Sequence, residues 1–188
     1  MSPLVIVLIV AAVIILWVIS LYNGLIRLRN RTQEGWSDID VQLKRRHDLI
    51  PNLLASVKGY MTHEKTLLEE VTKYRTVAMS AQSSGDTKTL AQAEGMLGTT
   101  LGKIQVAVEA YPDLKANTNV AQLMDELSDT ENKIQAARRF YNSMVRDFNT
   151  KIESFPNNMI AGQLKFTKFE YFEIADASER ENVKVSFT

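Results

Sequence analysis

The sequence predicts an all-α protein: an N-terminal transmembrane helix, an elongated antiparallel bundle of three or four helices, and a short irregular or strand-like C-terminal tail. Three observations predict it. The chain opens on an uncharged apolar run; apolar residues then recur at seven-residue spacing; and clusters of Gly, Pro, Asn and Ser cut the remainder into helix-sized pieces.

The opening run, PLVIVLIVAAVIILWVISL, extends from Pro3 to Leu21 without a charge. About 19 helical residues rise roughly 28 Å, close to the ~30 Å hydrocarbon core of a bilayer. Trp17 and Tyr22 stand where an interfacial aromatic belt would place them, and Arg27, Arg29 and Arg31 follow. The rival reading, a cleaved signal peptide, wants a basic n-region and a small-residue cleavage site. Met-Ser-Pro has no cation, and Trp17-Val18-Ile19 is a poor cleavage neighbourhood. Residues 1–22 are therefore expected to be a retained anchor in the lipid bilayer. The arginines on its C-terminal side predict a single-pass protein with its N-terminus out and its bulk in the cytoplasm.

Composition removes several functions. Lys and Arg number 22 and Asp and Glu 22, so no general field favours nucleic acid. With no cysteine, thiolate catalysis, disulfides, Cys-type zinc sites and lipoprotein acylation are excluded. Two histidines, His47 and His63, leave little for a metal site.

A bundle is expected over residues 23–163. Trp36, Leu43, Ile50, Val57, Val71 and Ala78 recur at multiples of seven, with Ile39, Leu53, Tyr60, Leu67 and Tyr74 on a second seam. Sustained heptads predict a long helix packed in coiled-coil or bundle fashion. Unbroken from Tyr22 to Ala81, it would measure roughly 90 Å. Leu54, Met61 and Leu68 widen the stripe, so the helix should meet two neighbours. Ser83-Ser84-Gly85-Asp86 reads as a turn, and Leu90, Leu97, Leu101, Ile104 and Val108 mark a second helix that stops near Pro112. A third opens at Asn117-Thr118-Asn119, with Asn119 as cap and Gln122 reaching back. Ser128-Asp129-Thr130-Glu131 resembles a second cap and predicts a kink. Phe155-Pro156 closes this helix, and Asn158 to Gln163 reads as a short fourth. Residues 164–188 form the tail; Val183, Val185 and Phe187 alternate in strand fashion and are expected to pair with another chain.

The stretch KRRHDLIPN, residues 44–52, carries the candidate site. Arg46 falls on the second seam, where an unpaired buried charge is costly. Asp38, Asp40, Asp48 and acids of other helices are its candidate partners. Pro51 removes a backbone hydrogen bond and crowds the His47 carbonyl, so it is read as a structural kink. Glu131 and Arg138, seven apart on one helix face, could join the charges around Arg45 and Arg46. Arg45, Arg46, His47, Asp48, Glu131 and Arg138 thus form the candidate polar layer. It either fixes the register of the bundle or receives a partner or anion.

The catalytic motifs fail. His63-Glu64 begins H-E-x-x-H, but position 67 is Leu67. Gly95, Gly98 and Gly102 lack the Gly-Lys-Ser/Thr of a phosphate loop and read instead as a small-residue face for close helix approach. Neither histidine completes a Glu-x-x-His pair of the di-iron bundles. No catalytic residue, cofactor or metal is expected, and the chain is not read as an enzyme.

YNGLIRLRN, WSDIDVQLKRRHDLIPNLLASVKGY, EAYPDLKAN, TENKIQAARRFYN and FPNN, in this order, resemble the LemA family from the anchor to about Gln163. The resemblance implies a bacterial single-pass membrane protein with a cytoplasmic helical bundle, and it assigns no reaction. The resemblance links some members to membrane biogenesis or organisation and places others beside genes for membrane proteases or envelope proteins. The function expected is a membrane scaffold that self-associates into a homo-oligomer. The alternative is an adaptor for a membrane protease or envelope complex.

Overall fold

A computed structural model describes residues 2–173. Regular structure among them is helical: α1 (Pro3–Val57), a single 3-10 turn (Thr62–Glu64), α2 (Lys65–Ser84), α3 (Thr87–Glu109), α4 (Pro112–Lys115), α5 (Thr118–Glu153) and α6 (Asn157–Gln163). The chain divides into two compact units. One comprises residues 2–39 and 136–171, the other residues 40–135 with 172–173, so α1 and α5 contribute to both.

The apolar run and the first bundle helix are one continuous 55-residue helix. Its first turns leave large side chains uncovered, Leu4 at 69% and Leu16 at 66% exposure. A helix apolar all round, satisfied in its own backbone and covered by nothing, has the make-up of a segment solvated by lipid.

In the first unit α1 runs antiparallel to α5. Gly35 permits their contact, since a Cβ there would stand 3.1 Å from Phe140 Cδ1 and 3.2 Å from Tyr141 Cα. Trp36 tilts against the Tyr141 ring, centroids 5.4 Å apart. Leu25, Phe148, Ile152 and Ala161 form the core. The tail begins here: residues 164–171 have no regular structure beyond the turn that ends α6, yet they are docked. Phe169 meets the Phe148 ring edge-on at 5.1 Å. Asn149 donates to the Phe169 carbonyl (2.9 Å) and accepts from its amide (3.0 Å), replacing the strand partner that an extended segment needs. The strand expected at Val183–Phe187 lies outside the described residues.

The second unit gathers segments of α1, α2, α3, α4 and α5 around one core. Ile50, Leu53 and Val57 of α1 meet Val71 of α2, Leu97 and Ile104 of α3, and Leu127 of α5. The expected unbroken helix to Ala81 is not what forms. α1 stops at Val57, and the chain reverses through residues 58–64 into α2. Arg75 then lies beside His47 and Gln82 beside Asp40, the register of an antiparallel hairpin. Both arms keep their heptad seam because both bury it in the same core; only Gly59 and the charged Glu64 at a seam position betray the break.

Local boundaries follow capping chemistry. Gly85 takes the left-handed conformation (φ 74°) that ends α2, and Asp86 caps α3 by accepting from the Thr89 amide at 3.0 Å. α5 begins two residues earlier than a cap at Asn119 requires. Asn117 Oδ1 is the cap, accepting from the Asn119 and Val120 amides at 3.0 and 3.3 Å. No helix end occurs at Ser128–Glu131. Thr130 is buried with its hydroxyl turned back to the Glu126 carbonyl (2.7 Å), so the residues that mimic a cap lie inside a continuous helix.

Candidate functional site

The site sits in the second unit, where α1, α3 and α5 converge. Arg46 is 3% exposed and His47 2%, and both meet Glu94 of α3, itself 1% exposed. Arg46 Nη1 donates to Glu94 Oε2 at 2.9 Å, and His47 Nε2 lies 2.6 Å from Glu94 Oε1. A carboxylate only accepts, so Nε2 carries the hydrogen in this pair. Arg46 Nη2 donates to Glu131 Oε2 of α5. Gln135, one turn on, donates to the other Glu131 oxygen at 3.2 Å. Three helices are thus tied through one guanidinium, and only Glu131, with 36% of its side chain exposed, reaches solvent.

Backbone chemistry supports this layer. Pro51 has no N–H for the His47 carbonyl, and Arg75 Nε of α2 donates to that oxygen instead, at 2.7 Å. α1 continues as a helix through Pro51. Gly98 of α3 faces the layer: a Cβ there would contact Arg46 Nη2 at 3.4 Å. It makes room for a guanidinium rather than for another helix, and Gly102 has nothing within 4 Å of a would-be Cβ. The small-residue face expected for close helix approach is therefore not what these two glycines form; Gly35 is where helices do approach closely.

The other expected members disperse. Arg45 is exposed, 3.6 Å from Glu126 and 3.9 Å from Asp129. The hydrogen bond from Lys133, with its charge and that of Arg45, holds the Asp129 carboxyl below the usual range. Asp48 is exposed, and Arg138 belongs to the first unit, partly exposed. Among the named candidate partners of Arg46, Asp40 instead accepts from Gln82 (2.6 Å). The residue sequence reasoning missed is Glu94. Its signal was available, because Glu94 stands on the seam of Leu90, Leu97 and Leu101, as anomalous there as Arg46 is on its own.

Chemically the layer pairs its guanidinium, imidazole and carboxylates with one another, with one donor left over. Arg46 Nε is buried without a partner among the described residues. No group of three or more His, Cys, Asp or Glu side chains among them could hold a metal ion. His63 is exposed in the 3-10 turn.

Fold and site together define a class: a helical protein with an exposed N-terminal apolar helix and a bundle locked by a buried ion-pair layer. The LemA family profile matches residues 35–187, and the chain belongs to the LemA family. The match reaches past Gln163, so the C-terminal segment is part of the family region. The chain is 31% identical over 163 residues to Protein LemA of Metamycoplasma hominis, covering 87% of this chain and 72% of that one. It is 24% identical over 181 residues to Magnetosome protein MamQ 2 of Paramagnetospirillum magneticum, covering 84% and 66%. The Magnetosome protein MamQ of Magnetospirillum gryphiswaldense is 23% identical with the same coverage. None of these names denotes a reaction. With its candidate membrane helix, the chain is a membrane-associated member of the family.

Proposed function

We propose that the protein is a membrane-anchored helical scaffold. Residues 3–21 cross a bacterial cell membrane with the N-terminus out, the bundle lies in the cytoplasm, and copies self-associate to organise membrane or envelope components. It catalyses no reaction. The observation that carries this reading is that the most chemically capable residues are spent on one another. Arg46, His47 and Glu94 are all at least 97% buried and tie three helices of their own chain. Such a layer fixes helix register, the best-attested use of buried polar groups. The bundle keeps surface for assembly in a groove of about 960 Å³ floored by Leu54, Met61 and Leu68 and flanked by Lys58, Lys65 and Lys73. The family match and the exposed apolar helix support the membrane-associated part of this reading.

The test is the mass of the full-length protein in mild detergent, with crosslinking in membranes through single introduced cysteines, which the cysteine-free chain makes unambiguous. A discrete multiple of the chain mass is expected; a monomer in both measurements refutes self-association. One observation favours the adaptor reading: Lys44, Arg45 and Asp48 remain exposed beside the buried layer. If Lys44→Glu with Arg45→Glu releases a co-purifying membrane protein while the oligomer persists, the adaptor reading replaces the scaffold.

A further inference from the structure

The first unit carries a second cluster that neither the anchor nor the ion-pair layer uses. Gly35 of α1 touches Phe140 and Tyr141 of α5, and the two helices are antiparallel. Counting residue for residue from that crossing, each helix rising equally, puts Phe155 level with Leu21, the last residue of the apolar run. Packing agrees, because Leu25 shares a core with Phe148, Ile152 and Ala161. The turn between α5 and α6 therefore stands at the depth where the apolar run ends.

At that depth two large apolar side chains stand exposed among the polar Ser154 and Asn158 of the turn. Phe155 is 78% exposed and Met159 65%, while their neighbours Ile160 and Ala161 pack inward. In the same unit a cavity of about 330 Å³ is lined by Tyr22, Arg29 and Gln33 on one face of α1 and by Lys165 and Thr167 beyond α6. Among the described residues no carboxylate lines it, and neither Arg29 nor Lys165 has an ion-pair partner. The Arg29 backbone lies roughly 12 Å beyond Leu21 along the helix, and its side chain leans back toward the helix N-terminus. That reach brings the guanidinium to the headgroup zone, a layer of about 5–8 Å outside the hydrocarbon on each side. Two free cations, hydroxyl and amide donors and an apolar skirt are what a lipid phosphate with its acyl chains requires.

We propose that this cavity binds the phosphate of an anionic phospholipid in the bilayer that holds the anchor, with Phe155 and Met159 inserted at the interface beside it. The protein then touches the membrane twice, by its span and by the foot of its first unit. This rests on the anchored reading above, which flotation of the full chain with neutral phosphatidylcholine vesicles tests separately.

The experiment is native mass spectrometry of the full-length protein from micelles with equal phosphatidylglycerol and phosphatidylcholine. One retained phosphatidylglycerol is expected. Arg29→Gln with Lys165→Gln should lower its retention roughly thirty-fold, about five-fold for each cation near an anionic surface. Arg27→Gln with Arg31→Gln, which removes equal charge from residues outside the cavity, should leave retention within two-fold. All four side chains are exposed, so unchanged circular dichroism is expected throughout. Equal losses in the two double variants would reduce the effect to net charge and overturn the site. Displacement of the lipid by millimolar inorganic phosphate would make it a free-phosphate site and overturn the lipid assignment. For the insertion, a fluorophore on Phe155→Cys should be quenched by spin-labelled lipid. Quenching only between two labelled copies would instead place a second protein on that surface.

Discussion

Glu94→Ala is the sharpest perturbation of the second unit. The carboxylate accepts from Arg46 at 2.9 Å and pairs with His47 at 2.6 Å, with no exposed side-chain surface. Removing it leaves the guanidinium with one carboxylate instead of two and the imidazole N–H with none. Hydrogen bonds to charged groups contribute about 1.5–3 kcal/mol each, and breaking a buried ion pair by deleting one partner costs about 3–5 kcal/mol. Glu131 still holds Arg46, so the expected loss is about 3–4 kcal/mol, toward the lower end of that range. With a urea slope of roughly 2 kcal/mol per molar, the unfolding midpoint should fall by about 1.5–2 M. The assay is urea unfolding of the full chain in mild micelles, followed by circular dichroism. Glu94→Gln keeps one acceptor for Arg46 and can donate to a His47 ring nitrogen, so it should cost about half as much. Arg46→Met with Glu94→Leu should recover only part of the loss, since an apolar pair of similar volume removes the guanidinium's desolvation but leaves the buried His47 N–H unpaired; adding His47→Leu should recover more. A loss under about 1 kcal/mol for Glu94→Ala, the range of exposed pairs, would refute the claim that this layer locks the bundle.

Arg75→Met should cost about 1–3 kcal/mol by stranding the His47 carbonyl, and clearly less in a Pro51→Ala background, where the restored amide serves that oxygen; a double-mutant cycle with no coupling would refute the pairing. Gly102→Ala, with open space at its Cβ, should stabilise α3 by up to about 1 kcal/mol, whereas Gly35→Val should destabilise by about 1–3 kcal/mol through overpacking against Phe140 and Tyr141, both read from thermal unfolding. The hydrogen bonds from Thr89, side chain first, hold the Asp86 carboxyl below its ordinary value. Its stabilisation is therefore complete above roughly pH 4 and is lost as pH falls through the lower folded value; Asp86→Asn should flatten that acid limb while keeping the cap. Burial, then the Glu170 charge, raises the Tyr141 phenol. Stability from its neutral form is complete below about pH 10 and lost as pH rises through the folded value. Tyr141→Phe should remove that alkaline limb and cost about 1 kcal/mol for the bond to the Glu170 carbonyl (2.9 Å).

What the sequence determined by itself is local. The apolar run, the helical character of the chain, and the breaks at Gly85, Pro112 and Pro156 follow from side-chain polarity and backbone sterics within a few residues. The misfit of Arg46 on an apolar seam is legible for the same reason, because period alone shows that it must be buried. Tertiary structure decided everything that depends on long-range closure. A heptad seam from Trp36 to Ala78 reads alike in one long helix and in a hairpin, since either buries the same side chains. The reversal at residues 58–64 wins because both arms then share a core with α3 and α5 of their own chain. Glu94, 48 residues from Arg46, becomes its partner only when α1 and α3 settle into register. Residues 164–171 dock because Asn149 and Phe148 on α5 supply the hydrogen bonds and ring contacts that an extended segment cannot find within itself.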